Sequence, residues 1–295
     1  MIPARKHRWF NAWFAAHARA RIHGTFGAVL ARGVEAARAL AAEAPLLLVA
    51  NHCSWWDPLV VLHASQHLLG VDGHAMMDAD NLRRLPFFAL VGAFGVDLDL
   101  PSDGTAAIRY AARLLDRPGR AVWIFAQGRE RPSDERPLGF RAGAAQIARV
   151  ARRARVLPVA LRYEFAGEER PRLYLAIGEP VAAPLGPGEA EAGREPGEAG
   201  RGPREPEAGR GGRDTEAACA AQEIAVTAEL DRIQRAIRKV AGAKDLLLDV
   251  DGFQYVHRAK PSVVGQAAER LLAHWTRPRE PLTPRLPGGG RGDRS

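Results

Sequence analysis

The chain is 295 residues long, 46% hydrophobic and carries a net charge of +8, enough apolar chain to bury one large domain and enough positive charge to favour an anionic partner. Two cysteines, Cys53 and Cys219, are too few and too far apart for a disulfide framework or a zinc site and fit a reducing cytoplasm, while no apolar run approaches the ~20 residues of a spanning helix. Zinc-finger and RNP-type patterns are missing, as is the aromatic-basic alternation of a stacking platform, so a membrane surface or a phosphorylated substrate fits the charge better than nucleic acid.

Residues 1–43 read as an N-terminal helical segment, made from residue 5 to about 42 of good helix formers with a basic and aromatic bias. Arg8, Arg19, Arg21 and Arg32 divide it too finely for a signal-peptide core. On a helix, Trp9/Trp13 and Phe10/Phe14 are i,i+4 pairs on adjacent faces flanked by Arg5, Lys6 and Arg8. That composition suits the lipid headgroup layer and equally a cover over a protein core. Residues 44–183 then alternate: a strand at 46–50, a helix at 58–69, strands near 74–77 and 95–99, a helix at 105–115, a strand at 121–125, a helix at 141–152, and strands at 156–163 and 172–177. This order predicts an α/β fold, a mainly parallel or mixed central sheet flanked by helices. Residues 184–214 are almost wholly Gly, Glu, Arg, Pro and Ala; such a segment buries too little apolar surface to offset its chain entropy, so the expectation is a disordered insertion. Ile224, Leu230, Ile233, Ile237 and Val240, ringed by arginines, predict a helix from about Thr215 in a C-terminal helical region, 215–275, before a loose Pro/Gly/Arg tail at 276–295.

The chemistry concentrates in two turns. Asn51-His52-Cys53-Ser54-Trp55-Trp56-Asp57-Pro58 begins where an apolar strand stops and ends where a helix begins, and ligands of parallel α/β sheets bind at such carboxyl ends. On one regular helix His52 and Asp57 would point about 140° apart. Pro58 disfavours the α conformation at Asp57 and suits the first position of a helix, so the segment is drawn as a turn that folds Asp57 back onto His52. A carboxylate on one ring nitrogen fixes the tautomer and stabilises the imidazolium formed when the other nitrogen takes a proton. The plainer alternative is that Asp57 caps the helix and His52 is a satisfied polar residue at a strand end. The strand at 121–125 runs into Ala126-Gln127-Gly128-Arg129-Glu130-Arg131-Pro132, which a parallel sheet would set beside the first turn. Gly128 permits close backbone approach, and Arg129 and Arg131 either hold an anionic group or are solvated loop charges.

Together these segments resemble the glycerolipid acyltransferase family. Its Asn-His-x4-Asp block is matched by Asn51, His52 and Asp57, and its Gly-x-Phe-x-Val-Asp-Arg block by Gly92, Phe94, Val96 and Asp97. Its Phe-Pro-Glu-Gly-Thr-Arg block corresponds to Phe125-Ala126-Gln127-Gly128-Arg129-Glu130, and its proline-bearing strand to Val156-Leu157-Pro158-Val159-Ala160. Between these two, Phe140-Arg141-Ala142-Gly143-Ala144-Ala145 is similar to a Phe-Lys-x-Gly-Ala-Ala run of the family.

The resemblance implies direct acyl transfer: His52 as general base oriented by Asp57, acyl-CoA or acyl-carrier protein as donor, a lysophospholipid-like hydroxyl as acceptor, and no cofactor or metal. It places Asn51, Ser54, Phe94, Gln127, Gly128, Arg129 and Arg131 around the substrates, leaves Cys53 and Ser54 no nucleophilic part, and implies work at the inner face of the cell membrane. Ser54 also suits a local backbone bond that steadies the turn. Three positions depart from the pattern. The family's third-block Glu is Gln127, its third-block Arg is Glu130 and its second-block Arg is Leu98. Because those arginines are implied to hold the acceptor's phosphate, a glycolipid or other phosphate-free acceptor is an alternative. Other rivals are a hydrolase using Ser54 or Cys53, which lack a Gly-x-Ser-x-Gly elbow; a lipid-binding protein that has lost turnover; and nucleic-acid binding through the Arg-rich insertion.

Overall fold

Leu46–Ala50 is five apolar residues in succession, all buried, as a strand covered on both faces requires. In the computed structural model, which describes residues 1–97, 99–165, 169–183, 207–240 and 251–259, this strand lies inside an eight-stranded sheet. In chain order the strands are β1 (Ala28–Arg32), β2 (Leu46–Ala50), β3 (Asp72–Asp78), β4 (Ala93–Val96), β5 (Arg120–Phe125), β6 (Arg155–Glu164), β7 (Arg172–Ile177) and β8 (Gln254–Arg258). They lie side by side as β4-β3-β5-β2-β6-β7-β1-β8. The run from β4 to β6 is parallel; β7 is antiparallel to β6 and parallel to β1, and β8 is antiparallel to β1. The sheet is therefore mixed and the fold α/β.

The helices are α1 (Arg8–Thr25), α2 (Val34–Glu43), α3 (Asp57–His63, running on as a wider π turn over Ala64–Leu69), α4 (Ala79–Arg84), α5 (Phe87–Leu90), α6 (Pro101–Leu114), α7 (Gly143–Val150) and α8 (Glu207–Val240). Side chains alternate across a strand, and β2 feeds two cores accordingly. Leu46, Leu48 and Ala50 pack with Ala18, Ile22, Ala37 and Leu59 of α1, α2 and α3; Leu47 and Val49 pack with Ala111 of α6 and Ile147 of α7. Val226, Leu230 and Ile233 of α8 cover Ala28, Ala160 and Tyr174. Among the described residues no helix is long and apolar enough to cross a membrane.

Three boundaries differ from expectation. Residues 1–43 are not wholly helical: Ala28–Arg32 is a strand, held by β7 on one side and β8 on the other rather than by β-branched content. The region 215–275 is not wholly helical either, because β8 pairs with β1 inside it. Finally, α8 begins at Glu207, so 207–214 belong to a helix rather than to a disordered insertion. Contacts override composition there: the carbonyl of Gly211 accepts from Arg149 of α7 at 3.2 Å and from the Thr215 hydroxyl at 2.7 Å. The rest of the expected insertion, 184–206, and the tail at 276–295 lie outside the described residues.

Candidate active site

β2 and β5 run parallel with Ala50 opposite Phe125, so the two turns leave the sheet side by side. Backbone bonds join them: Ala126 N–H donates to Ala50 O at 3.1 Å and Arg131 N–H to His52 O at 2.9 Å. The buried Gln127 accepts from His52 N–H through Oε1 at 2.6 Å, and the His52 ring stacks on Phe125 with centroids 4.5 Å apart. The imidazole is thus held along its backbone and one face.

Asp57 reaches that imidazole because the chain turns before the helix starts. Trp56 occupies the N-cap position of α3, with Pro58 in the first turn, and Asp57 N–H donates to Ser54 O at 3.0 Å. The Asp57 carboxylate is fully buried and points back rather than capping. Oδ2 accepts from His52 Nδ1 at 2.6 Å, Cys53 N–H at 2.8 Å and Ser54 N–H at 3.1 Å, and Oδ1 accepts from the Tyr163 hydroxyl at 2.6 Å. A carboxylate can only accept, so the imidazole proton sits on Nδ1 and Nε2 carries the free lone pair. The His52 side chain keeps 20% of its exposure, with Glu130 Oε1 at 3.8 Å from Nε2. Burial, then the charge of Asp57, push the Tyr163 phenol well above its ordinary range, so it stays protonated and serves Asp57 as a donor.

Other sequence-derived site residues divide by placement. Gly128, at φ +71°, makes the turn after β5 in a conformation that favours glycine, and a Cβ there would press on Arg141. Arg129 stands exposed on the rim. Gln127 is buried, and its Oε1 is taken up by His52 N–H. Asn51 is buried, its amide bracketing β2 to β6: Nδ2 donates to Leu161 O at 3.0 Å and Oδ1 accepts from Leu161 N–H at 2.8 Å. The Ser54 hydroxyl accepts from Trp56 N–H at 3.2 Å, within the turn. Arg131 pairs with Glu135 and donates to Leu138 O at 2.8 Å, so it braces its own loop instead of facing a ligand. Phe94 is completely buried against Tyr110 in the α6 core, because inward-facing positions of β4 point under α6 and not into the cleft. Leu98 lies outside the described residues.

Sequence reading missed Tyr163. Its only signal is a hydroxyl-bearing residue near the carboxyl end of a strand, and that becomes meaningful once β6 is known to lie beside β2. Cys53, by contrast, is held as a thiol: it donates to Leu161 O at 3.4 Å, and burial together with the Asp57 charge pushes its pKa far up.

Residues 31–162 match the family model described as Acyltransferase, a span that takes in His52, Asp57, Gln127 and Glu130. A 1-acyl-sn-glycerol-3-phosphate acyltransferase of Streptococcus pneumoniae (strain ATCC BAA-255 / R6) is 30% identical over 117 residues, 38% of this chain and 40% of that protein. The chain thus spans about two-fifths of that relative's length. The crystal structure of the 1-acyl-sn-glycerophosphate (LPA) acyltransferase PlsC from Thermotoga maritima overlaps 62% of this chain and 73% of its own, at 19% identity and a TM-score of 0.41.

Proposed function

We propose, from the match of residues 31–162 to the Acyltransferase family model and the likeness to a 1-acyl-sn-glycerol-3-phosphate acyltransferase, that this chain is an acyltransferase of the glycerolipid family that moves a fatty acyl group from a thioester, acyl-CoA or acyl-carrier protein, to a hydroxyl of a monoacylated, lysophospholipid-like lipid. His52 is the general base and Asp57 its orienting partner. Nε2 takes the acceptor proton as the hydroxyl oxygen attacks the thioester carbonyl carbon. A new C–O bond forms, the tetrahedral oxyanion collapses, the C–S bond breaks, and the proton held on Nε2 passes to the departing thiolate. Asp57 balances the positive ring in between. No acyl-enzyme is needed, and neither neighbour offers one: the Ser54 oxygen is engaged in its turn and the Cys53 thiol is buried.

The observation that carries this reading is the short Nδ1 bond to a fully buried carboxylate in a ring that stays partly exposed, which leaves the Nε2 lone pair free. A positioned base contributes about 10²- to 10⁴-fold, so His52→Ala should lower kcat for transfer from acyl-CoA by that order while the chain still unfolds cooperatively, its melting temperature lower by no more than the several degrees that loss of one donor to the buried Asp57 costs. Asp57→Asn should act through the same ring, and the double variant should be scarcely worse than His52→Ala alone. Transfer by His52→Ala within a few-fold of the parent would reject the mechanism. We place the work at the cytoplasmic face of a membrane; contact with a membrane surface is supported by the exposed Trp9 and Trp13 beside the exposed Arg5 and Arg8.

A further inference from the structure

A carboxylate faces the open nitrogen of His52. Glu130 Oε1 stands 3.8 Å from Nε2, on the turn whose backbone is tied to His52 through Arg131 N–H. An oxygen that gives its proton to Nε2 has to lie about 3 Å from it, so whatever the acceptor carries beside its reacting hydroxyl meets this carboxylate first. Among the described residues no cation other than the His52 ring lies within ion-pairing distance of it, although the Arg141 guanidinium lies against Gly128, two residues away. Arg131 is neutralised by Glu135 and turned toward Leu138 O, Arg162 is paired with Glu164 at 2.9 Å, and Gln127 is neutral and already bonded. On the other side of the ring the nearest charge is Asp57, also negative. Arg129 is exposed on the rim.

We propose that Glu130 is the residue that sets acceptor choice: it accepts a hydrogen bond from a second, uncharged hydroxyl next to the one being acylated, and it repels a phosphate at that position. The acceptor class is then a monoacylated lipid with a neutral polyol or glycosyl head group. This rests on the acyl-transfer reading above and narrows its acceptor. Like charges brought together where water is being displaced cost several-fold to orders of magnitude in affinity, whereas a carboxylate accepting from a hydroxyl is a charge-assisted bond. The carboxylate therefore discriminates in both directions.

The test uses a matched pair of acceptors that differ only in the phosphate, a monoacylglycerol and the corresponding monoacylglycerol 3-phosphate, presented in neutral mixed micelles with one acyl-CoA. The purified full-length chain should acylate the neutral acceptor with the higher kcat/KM, at least about tenfold. Glu130→Gln should raise kcat/KM for the phosphorylated acceptor several-fold through its KM, lower kcat/KM for the neutral acceptor several-fold as the charge-assisted bond is lost, and leave the acyl-CoA KM unchanged. Glu130→Arg should reverse the ranking. A parent enzyme that prefers the phosphorylated acceptor, or an unaltered ranking in both variants, overturns the proposal while acyl transfer itself stands. In that event a raised phosphorylated-acceptor KM in Arg129→Ala would identify the rim arginine as the phosphate holder. Loss of all product in His52→Ala shows separately that transfer proceeds through this site, and absence of product from the parent with either acceptor overturns the acyl-transfer reading along with the acceptor assignment.

Discussion

Asp57 has no exposed surface, and a buried carboxylate is tolerated only where hydrogen bonds replace its water. Oδ2 has three donors from its own turn, whereas Oδ1 has one among the described residues, the Tyr163 hydroxyl. Tyr163 thus works through Asp57 on His52, a positioning role. Removing a donor to a buried charge costs about 1.5–3 kcal/mol, so Tyr163→Phe should lower the melting temperature by several degrees. If the bond also aims the carboxylate, kcat should fall by about tenfold with acceptor and donor KM values little changed; a lower melting temperature with parental kcat would reduce the residue to packing. At this scale the sequence was informative only locally. His52 and Asp57 are five positions apart and their meeting depends on Pro58 and a turn, both readable. The partners of Asn51, Gln127 and Asp57 lie on other strands, and no spacing encodes them.

Among the elements, α1 shows how one amphipathic helix serves two surfaces. Ala15, Ala18 and Ile22 are buried, and Phe10 and Phe14 pack on the same core, while Trp9 and Trp13 remain 68% and 58% exposed. The core-cover reading of these rings holds for Phe10 and Phe14, whereas Trp9 and Trp13, on the adjacent face, are turned outward. An outward indole pair flanked by arginines is suited to the headgroup layer, and its removal should show in flotation. Trp9→Ser with Trp13→Ser should cut co-flotation with anionic phospholipid vesicles by several-fold at low salt while soluble-donor turnover in micelles persists. Flotation equal to the parent would leave the helix with no part in membrane contact. Strands of the central parallel run were legible from unbroken apolar stretches, as at β2 and β5. β1 and β8 were not, since they are short, carry Ala, Gln, His or Arg, and exist by pairing with each other and with β7. The first turns of α8 were hidden by glycines whose helical state depends on contacts with α7.

Across the molecule, segments distant in sequence meet in a histidine cluster that no motif announces. His63 of α3 is almost wholly buried, with ring centroids 5.6 Å from His23 of α1 and 5.4 Å from His67 of the π turn. His257 of β8 stacks on His23 at 3.9 Å. Neither ring nitrogen of His63 has a hydrogen-bond partner among the described residues. Burial first, and then the neighbouring His67, His23, Arg19 and His257, push its pKa down to about 3. His23 is shifted the same way by burial and by His257, Arg19 and His67. Between that depressed value and the ordinary histidine value of about 6.5, the unfolded chain binds a proton that the folded chain refuses. Stability is therefore complete above about pH 6.5 and declines as the pH falls, by about 1.4 kcal/mol per pH unit for the proton that His63 refuses. The pairing of Asp72 with His74 and Lys6, which lowers that carboxylate, is lost only at still lower pH, so it does not enter the window from 6.5 to 4.5. Urea denaturation at pH 7, 5.5 and 4.5 should show this slope in the parent, and His63→Leu, which keeps the apolar bulk and discards the ionisable ring, should make it shallower by about one proton's share. Parallel stability curves for the two proteins across that window would mean that the buried imidazole is protonated as readily in the folded chain as in the unfolded one.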